Sequence, residues 1–271
     1  MQKTLAYKNV IIYYQVIGSG KPVMLVHGFS EDSDIWKHQV NFLKDKFQLI
    51  IPDLPGSGLS VVNDWSSFTE KNQLTVELMA EILRIILDNE KIEQCAMIGH
   101  SMGGYITLAF AEKYPSRLSK LGLFHSTTYP DNEDKIQTRR RGIAFIKEYG
   151  APAFLKQSIP NLFDKKFTNE KAAAIEELIE RGKSFTSEAL TQYYEAMIAR
   201  PDRTAVLKNF NKPVLFIIGV NDKAVPPADG ARQAHIPAIS FVYFLRHTAH
   251  MGMWEEIDKS NAALLDFLSY N

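Results

Sequence analysis

Two stretches, PVMLVHG (22–28) and QLIIPD (48–53), are almost continuously apolar. A strand with one solvated face alternates apolar and polar side chains, whereas a strand buried on both faces does not. The chain therefore calls for a sheet covered on both sides, and it supplies covering helices between the apolar runs. DIWKHQVNFLKDK places Ile35, Trp36, Val40 and Leu43 along one helical face, and QLTVELMAEILRIILDNEKI (73–92) has a wide apolar face. CAMIG (95–99) reads as the next strand. MGGYITLAFAEKYP reads as a helix stopped at Pro115, because proline restrains the residue before it. LSKLGLFHS (118–126) is a further strand, and KNVIIYYQVIG (8–18) a first one, closed by the turn residues Gly18, Ser19 and Gly20. Strand and helix in this alternation imply right-handed crossovers and a mostly parallel central α/β sheet flanked by helices.

The alternation then breaks. Between residues 127 and 206 only helical patterns occur: KIQTRRRGIAFIKEYG, PAFLKQSI, NEKAAAIEELIERG and SEALTQYYEAMIAR. Strand patterns return in KPVLFIIGVND (212–222) and ISFVYFLRH (239–247), and MWEEIDKSNAALLDFLSY reads as one closing helix. The expected division is a core of residues 1–126 and 207–271, interrupted by an all-helical insertion at 127–206. Such an insertion is expected to lie as a lid over the C-terminal edge of the sheet, where open α/β sheets bind ligands.

Composition removes several function classes. The 271 residues are 45% hydrophobic, enough for one large domain. Lys plus Arg and Asp plus Glu both number 31 and are interspersed, so nucleic acid is not an expected partner. Cys95 is the only cysteine, so no intramolecular disulfide forms and no oxidising compartment is needed. The first twenty residues mix apolar with polar positions and read as strands rather than a signal peptide. No apolar run is long enough to span a bilayer, and a cytoplasmic protein is expected.

The pattern Gly99-His100-Ser101-Met102-Gly103 lies between a short apolar strand and a helix, the context in which Gly-x-Ser-x-Gly makes a nucleophile elbow. A helix N-cap would explain the serine, but not both glycines. Side chains at Gly99 and Gly103 would collide with the neighbouring strand and helix, and Ser101 is left at a helix N-terminus that favours developing negative charge. A serine hydroxyl needs a base. Of the seven histidines, His27, His38, His100, His125 and His235 read as loop, surface or core residues. His250, just beyond the last strand, is the candidate base, and His247 is its rival. The pair His247-x-x-His250 has no third ligand that would make a metal site. Asp222, just beyond the strand PVLFIIG, is the candidate acid that orients the histidine. The oxyanion of an acyl-transfer step needs N–H donors, for which the Met102 and Phe29 amides are the candidates, with Gly28 letting the second loop turn back. DLPGSGLS (53–60) lacks a phosphate-binding fingerprint and reads as a rigid turn beside the site.

These residues resemble the α/β-hydrolase superfamily over essentially the whole chain. The matching positions are His27-Gly28-Phe29, Asp53 to Gly58, Gly99 to Gly104, Gly219-x-x-Asp222 and His250. The resemblance implies the α/β-hydrolase fold, with Ser101, Asp222 and His250 as nucleophile, acid and base and with Phe29 and Met102 as oxyanion donors. It departs from many relatives at Ser57, where they have histidine, and at Ala249, where they have glycine. A serine at position 101 excludes the branches that use an aspartate nucleophile. The segment from Tyr194 to Asp222 is similar to lactonase-like and general esterase members.

The expected activity is cleavage of a small-molecule ester, thioester or lactone through an acyl-enzyme on Ser101, with no metal or organic cofactor. The same pocket also suits a ligand sensor with slow or no turnover, or an acyltransferase or perhydrolase. In the helical insertion, Phe154, Leu155, Phe163, Phe167, Tyr193, Tyr194 and Met197 read mainly as packing residues. Arg139, Arg140 and Arg141 read as a solvated face outside the site.

Overall fold

A computed structural model describes residues 1–270; Asn271, the last residue of the expected second core segment, lies outside the described residues. Eight strands form one sheet: β1 (Gln2–Tyr7), β2 (Val10–Ile17), β3 (Lys21–Val26), β4 (Phe47–Pro52), β5 (Cys95–His100), β6 (Leu118–Phe124), β7 (Val214–Gly219) and β8 (Ser240–Leu245). Their order is β1-β2-β4-β3-β5-β6-β7-β8. β2 runs antiparallel to β1 and β4, and every other pairing is parallel. The burial follows the order. Every residue of the interior strands β5 and β7 is buried, while the edge strand β1 alternates between exposed and half-buried.

Two elements differ from expectation. The single first strand is a hairpin, because the chain reverses at Lys8, whose φ is +51°, and QKTLAY pairs back along β2. The single closing helix is two, Gly252–Glu255 and Ile257–Ser269. The break falls at Glu256, where backbone helicity is lost and the carboxylate accepts from the His247 amide and the Thr248 hydroxyl.

Between β6 and β7 the regular elements are helical. They include Glu133–Tyr149, Ala151–Ser158, Ala172–Gly182, Ser187–Ala199 and Thr204–Asn209. Side-chain oxygens of Asn132 and Thr186 cap two of these helices by accepting amides three residues on. Polar contacts tie the segment to loops and flanking helices of the rest of the chain. Tyr193 donates its hydroxyl to the Pro55 carbonyl at 2.9 Å, Arg203 pairs with Glu77 and Glu112, and Arg181 pairs with Asp32. No helix among the described residues is long and apolar enough to cross a membrane.

Candidate active site

The parallel strands deliver their C-terminal ends to one edge, and four loops meet there. After β5 the chain turns within one residue into the helix Met102–Lys113, with Ser101 at the turn. Its φ of +49° and ψ of −115° lie outside the regions that residues with a Cβ ordinarily occupy, a strain of about 1–3 kcal/mol. The surroundings hold it there. The Ser101 amide donates to the Phe124 carbonyl at 3.0 Å, and the Ser126 hydroxyl donates to the Ser101 carbonyl at 2.7 Å. The flanking glycines are required sterically. A Cβ on Gly99 would lie 2.2 Å from the Gly103 carbonyl oxygen, and one on Gly103 would lie 2.3 Å from that of Val26. Met102, the first helical residue, belongs to the first turn, whose amides have no acceptor within the helix.

Asp222 follows β7 and is 4% exposed. One carboxylate oxygen accepts from the amides of Ala224 and Val225 at 2.8 and 2.9 Å, and the other lies 2.8 Å from His250 Nδ1. Burial would raise its pKa, but the charge of His250 and the hydrogen bonds of His125 and His250 outweigh burial and hold the carboxyl well below the usual range. Asp222 is therefore ionised at neutral pH, and a carboxylate on Nδ1 fixes that proton and leaves Nε2 free to act as base. His250 sits beyond β8, with its amide donating to the Leu162 carbonyl at 2.9 Å and Ala249 and Met251 donating theirs to Glu255. His247 is exposed and absent from the lining of the cavity that Ser101 and His250 share; its amide donates to Glu256. Among the described residues no cluster of three or more His, Cys, Asp or Glu could hold a metal ion.

Two histidines read as bland in the sequence support this arrangement. His100 is fully buried, with Nδ1 2.9 Å from Glu31 Oε2 and Nε2 donating to the His250 carbonyl at 2.9 Å. Burial opposes charge on both partners, yet their attraction outweighs it, raising the His100 pKa and lowering that of Glu31, so the two form a buried ion pair. The same oxygen of Glu31 also accepts the Gly28 amide at 2.6 Å, within the loop after β3 that carries Glu31 itself. One hydrogen-bonded chain thus links the loop bearing Phe29, the elbow and the loop bearing His250. His125, also buried, lies 3.5 Å from Asp222 and is pushed down to about 4 by burial, so it is neutral. Glu31 had no sequence signal, since its partner lies 69 residues away. Ser57 accounts for the departure noted there: its hydroxyl contacts His27 Nε2 at 2.9 Å and donates to the Leu54 carbonyl.

Ser101, Phe29 and His250 line one cavity of about 610 Å³, together with Tyr105, Leu162, Tyr194 and Met197. Phe29 stacks on Tyr194 with ring centroids 4.4 Å apart. The large side chains of the insertion therefore divide. Tyr194 and Met197 face the cavity, whereas Tyr193 is buried against Pro55 and Phe163 stacks on Phe167. The reading of Arg139 as solvated needs correction. Its side chain is 13% exposed, pairs with Asp131 at 2.5 Å and lines this cavity, because residue 139 lies on the inward face of its helix; Arg140 and Arg141 are exposed, as expected.

A sheet with this order and a strained serine at the turn after β5 make the α/β-hydrolase fold, and the chain is a hydrolase similar to the members of that superfamily. The model of the α/β hydrolase fold family matches residues 21–139. The chain is 28% identical over 268 residues to an uncharacterized hydrolase of Bacillus subtilis, covering 96% of this chain and 95% of that one. It is 28% identical over 289 residues to the 2-hydroxy-6-oxononadienedioate/2-hydroxy-6-oxononatrienedioate hydrolase of Paraburkholderia phymatum, covering 98% and 96%. Among solved structures, the malate-bound thermophilic esterase from Thermogutta terrifontis superposes with a TM-score of 0.89 at 27% identity, over 99% of this chain and 98% of that one.

Proposed function

We propose that the protein is a serine hydrolase that cleaves a carboxylic ester, thioester or lactone of a small molecule through an acyl-enzyme on Ser101. The observation that carries this reading is the 2.8 Å contact between His250 Nδ1 and Asp222, with His250 lining the same cavity as Ser101. His250 Nε2 takes the Ser101 proton as Oγ attacks the carbonyl carbon. The Met102 and Phe29 amides receive the oxyanion, worth about 2.7–4 kcal/mol of transition-state stabilisation per donor. The tetrahedral intermediate collapses, His250 passes the proton to the departing alcohol or thiol, and Ser101 keeps the acyl group. Water then enters, gives its proton to His250 and releases the acid, restoring Ser101. Ionised Asp222 stabilises the imidazolium in both halves. Residues 127–206 act as the lid of the core formed by 1–126 and 207–271, supplying Tyr194 and Met197 to the acyl-binding wall. We place the activity in the cytoplasm, where the lone buried Cys95 needs no partner.

The test is labelling by a fluorophosphonate together with turnover of 4-nitrophenyl esters of increasing chain length, with Ser101→Ala as control. Labelling and turnover that Ser101→Ala abolishes are expected; a wild type that neither labels nor hydrolyses any ester overturns the reading.

A further inference from the structure

The lining of the cavity that Ser101 shares is richer in positive than in negative charge. Lys135, Arg139, Arg200, Lys223 and Arg232 line it, against Glu31, Asp134 and Asp229. Glu31 is neutralised by His100, and Asp229 and Arg232 neutralise each other at 2.5 Å, which leaves Asp134 against Lys135, Arg139, Arg200 and Lys223. Behind the wall, Asp131 is fully buried and serves two guanidiniums at once, Arg139 at 2.5 Å and Arg200 at 2.8 Å. One carboxylate between two arginines leaves a unit of positive charge in a site largely shielded from water. Arg200 also donates from its two terminal nitrogens to the Met197 and Tyr129 carbonyls and lies over the Tyr105 ring at 3.9 Å, while its Nε is buried without a partner. Arg139 is held less completely. Its guanidinium stands 5.6 Å from the Tyr194 ring, the same ring that stacks on Phe29. Lys135 reaches across from the same helix to the loop after β7, with Nζ donating to the Ala224 carbonyl at 2.6 Å. Lys223 stands exposed on that loop, one residue beyond Asp222.

We infer that this wall is an anion subsite, with Arg139 as its central residue, and that the ester taken by Ser101 carries a free carboxylate. The inference rests on the serine-hydrolase reading and narrows its substrate class. A guanidinium holds a carboxylate through charge-assisted, paired hydrogen bonds, and these strengthen where water is excluded. The Phe29–Tyr194 stack separates Arg139 from the oxyanion side of the cavity, so the carboxylate sits several bonds from the scissile carbonyl rather than beside it. Either half of the ester could bring it, the acyl chain of a dicarboxylic monoester or a carboxylated alcohol. The chemistry at the wall is the same.

The experiment compares matched esters. In one arm, mono-4-nitrophenyl glutarate is set against 4-nitrophenyl butyrate. In the other, 4-acetoxybenzoate is set against its methyl ester. In at least one arm the wild type is expected to favour the anionic ester by about tenfold in kcat/KM, mainly through KM, with the preference shrinking as ionic strength rises. Arg139→Gln, which leaves Asp131 paired with Arg200, is expected to bring the ratio of anionic to neutral kcat/KM to about one. Lys135→Gln and Lys223→Gln are expected to reduce it by smaller factors. Equal kcat/KM for anionic and neutral esters in both arms overturns the subsite and leaves the hydrolase reading standing, as does a preference that survives Arg139→Gln. Failure of the wild type to label with the fluorophosphonate or to cleave any of the four esters overturns both.

Discussion

The elbow after β5 and the helical wall above it contribute to the same cavity but are built to different tolerances. At the elbow, backbone meets backbone. An added Cβ on Gly99 or Gly103 would stand within 2.3 Å of a carbonyl oxygen that belongs to a helix or strand and cannot move alone. In the wall, side chains meet side chains. A Cβ on Gly142 would lie 2.7 Å from Tyr194 Cε2, the outer edge of a ring that can tilt. The difference separates two jobs. The elbow must hold Ser101 in a conformation it would not otherwise adopt, whereas the wall need only shape and charge the space above it.

The largest effect expected from this contrast is at the elbow. Gly103→Ala should fail to yield native protein or should lose activity entirely, because relieving the clash means displacing β3. Gly142→Ala should fold with nearly wild-type thermal stability and change KM with acyl length while leaving labelling at Ser101 intact. If Gly103→Ala folds and turns over normally, the elbow is not the tight element described. Next in size are the groups that serve the serine. Asp222→Asn is expected to lower kcat by about 10⁴-fold with little change in KM, through loss of the correct histidine tautomer. His250→Ala should lose as much, and His247→Ala almost nothing, since its side chain is exposed. Equal losses for the two histidines would undo the assignment of the base.

Glu31→Gln sharpens the comparison from beneath the elbow. It leaves His100 buried without its counter-charge, and breaking a buried pair in this way costs about 3–5 kcal/mol. Because the same carboxylate holds the Gly28 amide, kcat is expected to fall about tenfold at unchanged KM. Glu31→Asp should restore part of kcat if position matters. A variant that loses stability but keeps kcat at all temperatures below its melting point would make Glu31 structural only.

How much of this was legible depended on how far a signal lay along the chain. Ser101, Asp222 and His250 each follow a strand, and strand ends are marked by composition, so three residues far apart in sequence could be brought together by topology. Glu31 and His100 are joined only by folding, and neither stands in a motif that demands the other. QKTLAY lies in the stretch that reads as strands, but its bounds as a separate strand are not legible because it is an edge with high exposure. Arg139 was misread because three consecutive arginines sweep most of a helical turn. Which one points inward depends on the packing of that helix on Ser187–Ala199, not on the run itself.

Asp131, beneath the charged wall, gives the smallest and most specific prediction. Burial alone would raise its pKa, but the hydrogen bonds and charges of Arg139 and Arg200 hold it down to about 2. The unfolded value is near 3.9, so the folded state binds this proton less readily than the unfolded chain. Its contribution to stability is therefore fully present above about pH 5 and is lost as pH falls through the folded value; at 1.36 kcal/mol per unit this amounts to about 2–3 kcal/mol. Asp222 is depressed too and adds to the same acid slope, so the wild-type curve alone cannot isolate Asp131. The difference between wild type and Asp131→Asn does. That difference should be several kcal/mol at pH 7, where the variant leaves two arginines facing a neutral amide, and should shrink below pH 3 as the wild-type carboxyl is itself protonated. Urea melts of both proteins at pH 7, 4 and 2.5 read it directly. A stability gap that stays constant with pH would mean that Asp131 acts through packing rather than through its charge.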